Sequence, residues 1–139
     1  MAKRFFDTNI LVYAFADHPK AALAGSLLLE GGDISVQVLN EFTNVARRKM
    51  GFDWASIETA IADILVLARA VHPLDMEVHH SARTIAGRYG LGFYDSLIVA
   101  AALQARCDIL YSEDMQDGME IDGKIVIRNP FLALAAPLF

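Results

Sequence analysis

The amino-acid sequence predicts an α/β protein, a three-layer α/β/α sandwich whose parallel sheet has about five strands. Short apolar segments alternate with longer helical segments along the 139 residues. This alternation is typical of parallel strands that are joined by crossover helices. No repeat, linker or shift in composition divides the chain, so we expect one domain over residues 1–139.

The first half of the chain contains two predicted strands and three predicted helices. Residues 4–7 are mostly apolar and end in an acid, and the helix after them stops at Asp17-His18-Pro19. Apolar residues near helical spacing, followed by Gly31-Gly32, predict the second helix. The predicted strands are 4–7 and 34–36, and the predicted helices are 9–16, 20–30 and 38–50, the last closed by Gly51.

The second half continues the alternation. Asp53 is the predicted N-cap of a helix with one apolar face, formed by Trp54, Ile57, Ile61, Ile64, Leu65 and Ala68. The next helix ends at Gly90, and the one after it is almost wholly apolar, which predicts a buried helix. The predicted strands are 70–72, 109–112 and 125–127, and the predicted helices are 54–68, 75–89 and 94–106.

Composition and charge exclude several classes of protein. Hydrophobic residues make up 55% of the chain and charged residues 21%, which excludes a disordered chain. The longest uncharged run, residues 129–139, contains two prolines and is too short to span a membrane. The apolar content exceeds what one small core needs, and we therefore expect a partner surface and a homodimer. A net charge of −5 argues against a general nucleic-acid coat protein.

The single cysteine provides information about the cellular compartment of the protein. Cys107 cannot form an internal disulfide, which favours a reducing compartment, and we expect a cytoplasmic protein. The alternative is a secretory signal, because Lys3 and Arg4 precede an apolar stretch with a small-residue site at Ala14-Phe15-Ala16. The polar segment Asp7-Thr8-Asn9 inside that stretch argues against a signal.

Three acids stand in apolar surroundings. Most of the 17 acidic residues, Asp33 among them, are expected in turns, caps or solvated faces. Asp7, however, ends an apolar strand, Glu41 interrupts the apolar pattern of the third helix, and Asp95 begins the most apolar helix. Taken singly, Asp7 and Asp95 are better explained as helix caps.

Taken together, the acids predict a metal site. The carboxyl ends of parallel strands and the helices that follow them meet at one edge of a sheet. A fourth acidic group, Glu113, Asp114 and Asp117, follows the strand at 109–112 and is expected at the same edge. Oxygen ligands without Cys or neighbouring His favour Mg²⁺ or Mn²⁺ over zinc, and such a site suits phosphoryl chemistry.

At these positions the sequence resembles the PIN domain (PilT N-terminus) family. The matching segments are FFDTNILVY at 5–13, VLNEF at 38–42, YDSLIVAAA at 94–102, LYSEDMQD at 110–117 and NPF at 129–131. Each segment is weak evidence alone, but together they cover nearly the whole chain in the family's order.

The resemblance implies a metal-dependent endoribonuclease, often the VapC-like toxin of a type II toxin–antitoxin pair, with a small antitoxin as its partner. It assigns the catalytic acids Asp7, Glu41, Asp95 and Asp114. It implies Mg²⁺, with Mn²⁺ as a substitute, held by Asp7, Glu41 and Asp95 with Asp114 as the fourth acid. Asp117 competes with Asp114 for one role, so that one of them binds the metal directly and the other through water. It also places Asn9 and Ser112 beside the site, where we expect them to hydrogen-bond the carboxylates and hold them in place.

Arg48 is the predicted contact to RNA phosphate. It lies seven residues after Glu41, on the same predicted helical face, in the basic run Arg47-Arg48-Lys49. The alternative, a solvated helix end whose cations complement the helix dipole, stays open. We expect Trp54 and Phe52 to be core or partner-facing residues rather than base-stacking ones.

Other functions also remain open at this stage. One is a PIN-domain RNA-processing nuclease without an antitoxin, and another is a non-catalytic binding module with a structural metal ion. A phosphatase with an aspartyl nucleophile is disfavoured, because it needs a second acid just after the first strand and Asn9 stands there.

Overall fold

The computed structural model describes residues 2–135, so the last four residues of the uncharged run at 129–139 lie outside it. It contains one sheet of six strands in the order β3-β2-β1-β4-β6-β5, flanked by helices. The strands are β1 Arg4–Phe6, β2 Asp33–Ser35, β3 Ala70–His72, β4 Ile109–Tyr111, β5 Glu120–Ile121 and β6 Ile125–Arg128. The helices are α1 Thr8–Ala14, α2 Ala21–Glu30, α3 Val36–Arg48, α4 Trp54–Leu67, α5 Met76–Tyr89, α6 Phe93–Gln104 and α7 Leu132–Ala135.

The five predicted strands pair in parallel, which confirms the predicted α/β architecture. The sixth strand, β5, pairs antiparallel with β6 and was not predicted. The two are joined by a tight turn in which Asp122 and Gly123 have φ angles of +54° and +64°. Asp-Gly is typical of such hairpin turns, so the sequence did carry a signal for this strand. Within the described residues, no helix is long and apolar enough to cross a membrane.

Strand β1 lies in the middle of the sheet and is largely buried. Phe5 and Phe6 are fully buried, and β1 lies between β2 and β4. The backbone N–H of Asp7 donates to the carbonyl of Tyr111 at 2.9 Å, so the pairing of β1 with β4 continues past the end of β1. This pairing fixes the position of Asp7 beside the end of β4.

The helix starts follow local capping. Ser35, Asp53 and Asp75 each accept a hydrogen bond from the backbone of the first helical turn, which begins α3, α4 and α5. The Asp53 cap was predicted. The cap at Ser35 starts α3 two residues earlier than predicted, at Val36, because a serine hydroxyl can satisfy an unpaired N–H of the first turn. Helix α5 ends at Gly90, in the left-handed conformation, as predicted.

The predicted inward face of α4 was partly wrong. Ile57, Ala60 and Ile64 are buried, but Trp54 is 58% exposed and Leu65 is 49% exposed. The buried stripe is therefore narrower than the apolar stripe in the sequence. Trp54 is not a core residue, and the Arg47 guanidinium lies 5.5 Å from the centre of its ring. The prediction for α6 was right, since every residue from Ser96 to Ala102 is buried.

Asp33 corrects another expectation, because it is fully buried at the start of β2 rather than solvated in a turn. Its carboxylate accepts a hydrogen bond from Arg69 Nε at 3.0 Å and lies 2.8 Å from His72 Nε2. Lys3 Nζ lies 3.9 Å away. These groups come from separate elements and surround a buried anion, which makes its burial tolerable.

Asp33→Ala tests the contribution of this buried network. We expect it to lower the free energy of unfolding by about 3 kcal/mol, the low end for a broken buried ion pair, because the remaining cations reach solvent. Urea unfolding followed by circular dichroism measures this change. Asp53→Ala, which removes only a helix cap, should lower it by about 1 kcal/mol and serves as the matched control. Equal losses in the two variants would show that the network adds no more than a cap.

Candidate functional site

The candidate site lies at the carboxyl ends of the neighbouring strands β1 and β4. Asp7 follows β1 and Ser112 follows β4, and the two side chains meet because these strands pair in register, Phe6 with Tyr111. The Ser112 hydroxyl donates to Asp7 Oδ2 at 2.7 Å. Strand pairing thus brings together two residues that are 105 positions apart in the sequence.

Asp7 is almost fully buried, with 3% of its surface exposed. Its Oδ1 accepts from the backbone N–H of Thr8 at 2.7 Å, so it is also the N-cap of α1. The side-chain amide of Asn9 reaches Oδ2 at 3.4 Å. The capping role and the site role that were alternatives for Asp7 therefore belong to the same carboxylate.

Burial raises the pKa of Asp7 from 3.8 to about 7. The hydrogen bonds from Ser112 and Thr8 act in the opposite direction, and the negative charges of Asp95 and Glu41 add to the increase. The net effect shows that the surroundings favour the protonated carboxyl. An added positive charge at this position would reverse that preference.

Glu41 faces the site from the middle of α3 and is partly buried. Its Oε1 accepts from the Thr8 hydroxyl at 3.1 Å. Its Oε2 accepts from the side-chain amide of Gln37 at 2.9 Å. Gln37 lies one helical turn earlier on the same face, which is why the two side chains meet. Thr8 thus links α1 to Glu41 through its hydroxyl and to Asp7 through its N–H.

Asp95 lies in the first turn of α6 but does not cap it, because the N-cap is Gly92. Among residues 2–135, no hydrogen bond involves its carboxylate. Partial burial raises the pKa of Asp95, and the charges of Glu41 and Asp114 raise it further. The capping alternative for Asp95 is therefore wrong, and its neighbours in the structure are other carboxylates.

The structure separates Asp114 from Asp117. Asp114 Oδ2 accepts from the Asn9 amide at 3.2 Å, which connects it through Asn9 to Asp7. Asp117 Oδ1 instead accepts from the backbone N–H of Asn129 at 2.8 Å and holds the chain after β6. The geometry therefore favours Asp114 as the fourth acid of the site.

A cavity of about 340 Å³ opens beside these acids, and its wall contains Asp7, Glu41 and Asp114. Lys49, which was not predicted, lies in the wall as well. Arg48, the predicted contact, is exposed and does not line this cavity in the described part of the chain. Lys49 keeps helical backbone angles and its N–H bonds the Val45 carbonyl at 2.8 Å, so its spacing of eight residues from Glu41 could have selected it.

Glu113 also lines this cavity, but its charge is paired within the protein. Its carboxylate accepts from the Tyr13 hydroxyl and pairs with the Lys20 ammonium. Lys20 also lies over the rings of Tyr13 and Phe131, 5.0 and 5.5 Å from their centres. Partial burial raises the pKa of Glu113, but the bonds from Lys20 and Tyr13 outweigh it and keep the pKa below its usual value. Glu113 is thus already compensated by the protein.

The donor chemistry of the site fits a hard divalent cation. Asp7, Glu41, Asp95 and Asp114 offer only carboxylate oxygens, the ligands that Mg²⁺ and Mn²⁺ prefer. Their charges raise the pKa of Asp7 and Asp95. In residues 2–135, however, no three His, Cys, Asp or Glu side chains form a group that could hold one ion. The metal therefore remains a prediction that rests on the donor set and its charge.

Comparisons with known proteins agree with this arrangement. The family model described as PIN domain matches residues 4–117, which is most of the chain. No curated protein matches the sequence significantly.

Several solved structures share the fold. A toxin–antitoxin complex from Klebsiella pneumoniae contains a chain that is 21% identical, with a TM-score of 0.69, covering 92% of this chain and 98% of that one. VapC20 from Mycobacterium tuberculosis, described as a Sarcin-Ricin loop cleaving toxin, is 20% identical, with a TM-score of 0.67 and coverage of 81% and 90%. VapBC2 from Rickettsia felis, solved with a promoter DNA fragment, is 21% identical, with a TM-score of 0.65 and coverage of 91% and 97%.

The raised pKa of Asp7 predicts a pH-dependent stability in metal-free protein. The folded state binds a proton at Asp7 more tightly than the unfolded chain does, so the free energy of unfolding should fall as pH rises from about 4 to about 7. The difference from 3.8 to about 7 corresponds to about 4 kcal/mol at most. Asp7→Asn should flatten most of this slope, and Asp95 should account for part of what remains.

Urea unfolding in EDTA at a series of pH values measures the slope. Asp117→Asn, at an exposed acid that bonds only the backbone, is the matched control and should keep the wild-type slope. A slope that is equally steep in Asp7→Asn and in the wild type would mean that the Asp7 carboxylate is ionised throughout this range.

Proposed function

The chain belongs to the PIN domain family, and from this premise we propose that it is a metal-dependent endoribonuclease that acts as the toxin of a type II toxin–antitoxin pair. PIN domains are nucleases, and the new elements of the proposal are the metal, the RNA substrate and the antitoxin. The observation that carries it is the meeting of carboxylates from β1, α3, α6 and the segment after β4. Three of them line one cavity, and the fourth, Asp95, acts on Asp7 through its charge.

In this proposal the four acids, Asp7, Glu41, Asp95 and Asp114, hold Mg²⁺ or Mn²⁺. A bound divalent ion would lower the pKa of water and offset the charge on the scissile phosphate. The protein's own groups keep the carboxylates in position, because Ser112, Thr8 and Asn9 bond Asp7, and Thr8 and Gln37 bond Glu41. Such bonds fix the direction of the lone pairs that an ion would use.

Lys49 gives the site a positive side chain that can contact the substrate. Because it lies in the cavity wall with Asp7 and Glu41, we assign it a contact to a backbone phosphate next to the cleaved bond. Arg48, exposed at the end of α3, stays a predicted contact to phosphate outside the cavity. Both contacts position the strand and carry no sequence information.

The proposed antitoxin has a candidate surface in a second groove, at the end of α1 and along α2. A mainly apolar groove of about 390 Å³ lies between α1, α2 and the end of α4. Leu29 in its wall is 75% exposed, and Val66 nearby on α4 is 84% exposed. Apolar side chains this open to water are typical of an interaction surface. The structures from Klebsiella pneumoniae and Rickettsia felis are of toxin–antitoxin pairs, which supports such a partner here.

Two further features of the proposal concern the state of the protein in the cell. The apolar excess of the composition supports a homodimer, which light scattering can measure as a mass near twice 15.3 kDa.

The lone thiol, Cys107, is buried, and its pKa is raised to about 12, so it is unreactive. A reducing cytoplasm, where RNA is available, is the location that we propose.

Asp95→Asn tests the nuclease. Removing one negative ligand while keeping the side-chain shape should lower the rate of RNA cleavage in Mg²⁺ by about two orders of magnitude or more. The fold should persist, because in the described residues the Asp95 carboxylate makes no hydrogen bond. Cleavage of labelled RNA by purified protein, with Mg²⁺ or with EDTA, is the measurement, and EDTA should stop the wild type.

Asp117→Asn is the control for that experiment and should cleave at about the wild-type rate, because this acid only holds the Asn129 backbone. Wild-type activity in Asp95→Asn would show that the assigned site is wrong. If the wild type binds the metal but cleaves no RNA, the non-catalytic binding module becomes the better explanation.

Leu29→Lys tests the antitoxin surface. A charge in the apolar groove should weaken antitoxin binding by about tenfold or more, because the lysine would lose water on burial. In cells, co-expressed antitoxin should then fail to relieve growth arrest, while RNA cleavage by the variant stays at the wild-type rate. Met76→Lys, at an equally exposed apolar residue on α5, is the matched control. Unchanged neutralisation of Leu29→Lys would place the antitoxin on another surface.

The gene neighbourhood separates the toxin from an RNA-processing nuclease. A short reading frame beside this gene, whose product binds the protein and inhibits it, is the expected finding. If no such product exists, the processing nuclease becomes the better explanation of the same site.

A further inference from the structure

A second cavity adjoins the candidate site across Glu41. It has a volume of about 330 Å³, and its wall consists of Gln37, Asn40, Glu41, Asn44 and Tyr94. Glu41 also lines the cavity that contains Asp7 and Asp114, so one side chain forms part of both walls. A chain-like ligand bound along the acids of the site would therefore lie next to this second cavity.

The chemistry of the wall differs from that of the acid site. Of its five residues, Glu41 alone is charged, and Gln37 already bonds it at 2.9 Å. A phosphate group would find no cation in this wall, so the cavity does not suit the backbone of a nucleic acid. It suits a neutral group with a polar edge, and its volume lies in the usual range for small-ligand sites.

Tyr94 is the aromatic member of the wall, and it is 66% exposed. Its ring packs edge to face against Phe93, with 5.8 Å between the centres, and Phe93 packs in the same way against His79 at 5.2 Å. These contacts limit the motion of a ring that remains open to water. Glu41, an acid of the site, lines the same cavity, so this exposed aromatic surface adjoins the site.

The amide members of the wall lie along one face of α3. Asn40 and Asn44 are four residues apart, which places them one turn from each other. Asn40 donates only a long bond, 3.4 Å, to Gln37, and within residues 2–135 no hydrogen bond involves the Asn44 amide. A carboxamide presents a donor next to an acceptor, and this pair matches the polar edge of a nucleobase.

We propose that this second cavity is a base-binding subsite, in which an unpaired base of the substrate RNA stacks on Tyr94 and bonds the amides of Asn40 and Asn44. The inference rests on the proposed function for the identity of the substrate as RNA. Its consequence is a preference for single-stranded RNA, because a paired base cannot leave its helix to enter the cavity. A second consequence is selection of one base beside the cleaved bond.

The test measures binding apart from cleavage, in the full-length Asp7→Asn protein. The probes are 12-nucleotide strands of oligo-A, oligo-U and oligo-C, and an abasic strand of equal length, all in Mg²⁺ buffer. All four have the same phosphates, so the difference between a base-containing and the abasic strand measures base contacts. Fluorescence anisotropy of the labelled strands gives each dissociation constant.

Adding Tyr94→Ala should weaken binding of the base-containing strands roughly 5- to 150-fold, the effect of one lost base–aromatic stack. Binding of the abasic strand should stay unchanged. Tyr94→Phe keeps the ring and should bind within about twofold of the parent. Asn44→Ala should alter the ratio of affinities between the base-containing strands. Trp54→Ala, at an exposed aromatic residue on α4, is the matched control and should change nothing.

Four results would overturn the subsite. One is Tyr94→Ala binding every strand like its parent, and another is an equal loss for the abasic strand, which would mark an effect on the fold or the charge. The third is a change of molar mass in light scattering, which would assign Tyr94 to a contact between copies. Failure of all strands to bind the parent would overturn it too.

These results remain distinct from the fate of the proposed function. If the wild type cleaves RNA and Tyr94 makes no difference to binding, the nuclease stands and the subsite falls. If binding depends on Tyr94 but the wild type cleaves no RNA, the subsite stands as a nucleic-acid contact and the nuclease falls.

Discussion

The structure depends on one buried carboxylate at the end of its central strand. Asp7 sits where β1 stops, and burial of a charged group there is costly unless neighbours compensate it. Thr8, Ser112 and Asn9 do so by hydrogen bonds that come from α1 and from the segment after β4. The same bonds hold α1 and the end of β4 against β1. The site is therefore part of what joins the elements of the fold.

Because of this arrangement, stability and the proposed function make opposite demands on the buried carboxylates. Stability favours their compensation by the protein, and the proposed function needs them free for a ligand. The hydrogen bonds satisfy Asp7 only in part, and the nearby charges of Asp95 and Glu41 work against its ionised form. A positive partner inside the protein, such as Lys20 provides for Glu113, would remove that conflict. It would also occupy the oxygens that a ligand needs, so under the proposed function the uncompensated repulsion favours the binding of a cation.

Much of this could be predicted from the sequence, because local signals were strong. The order of the elements, the cap at Asp53 and the burial of α6 follow from spacing and composition alone. What failed needed knowledge of distant contacts. Asp33 can be buried only because two residues distant in the sequence reach it: His72 on β3, and Arg69 just before β3. No local pattern in the sequence shows these contacts. Lys49 is the exception, because its backbone stays helical and its spacing of eight residues from Glu41 could have selected it.

The two buried aspartates of the sheet lie at opposite ends of their strands, and their charges are compensated differently at the two ends. Asp33, at the amino end of β2, is paired with the cations of Arg69 and Lys3 and lies 2.8 Å from His72 Nε2. Asp7, at the carboxyl end of β1, has hydrogen-bond donors in place of cations. The buried acid at one rim of the sheet is therefore matched by cations, and the buried acid at the other rim is not. A dissolved divalent ion would be drawn toward the second rim from a distance, before any contact forms.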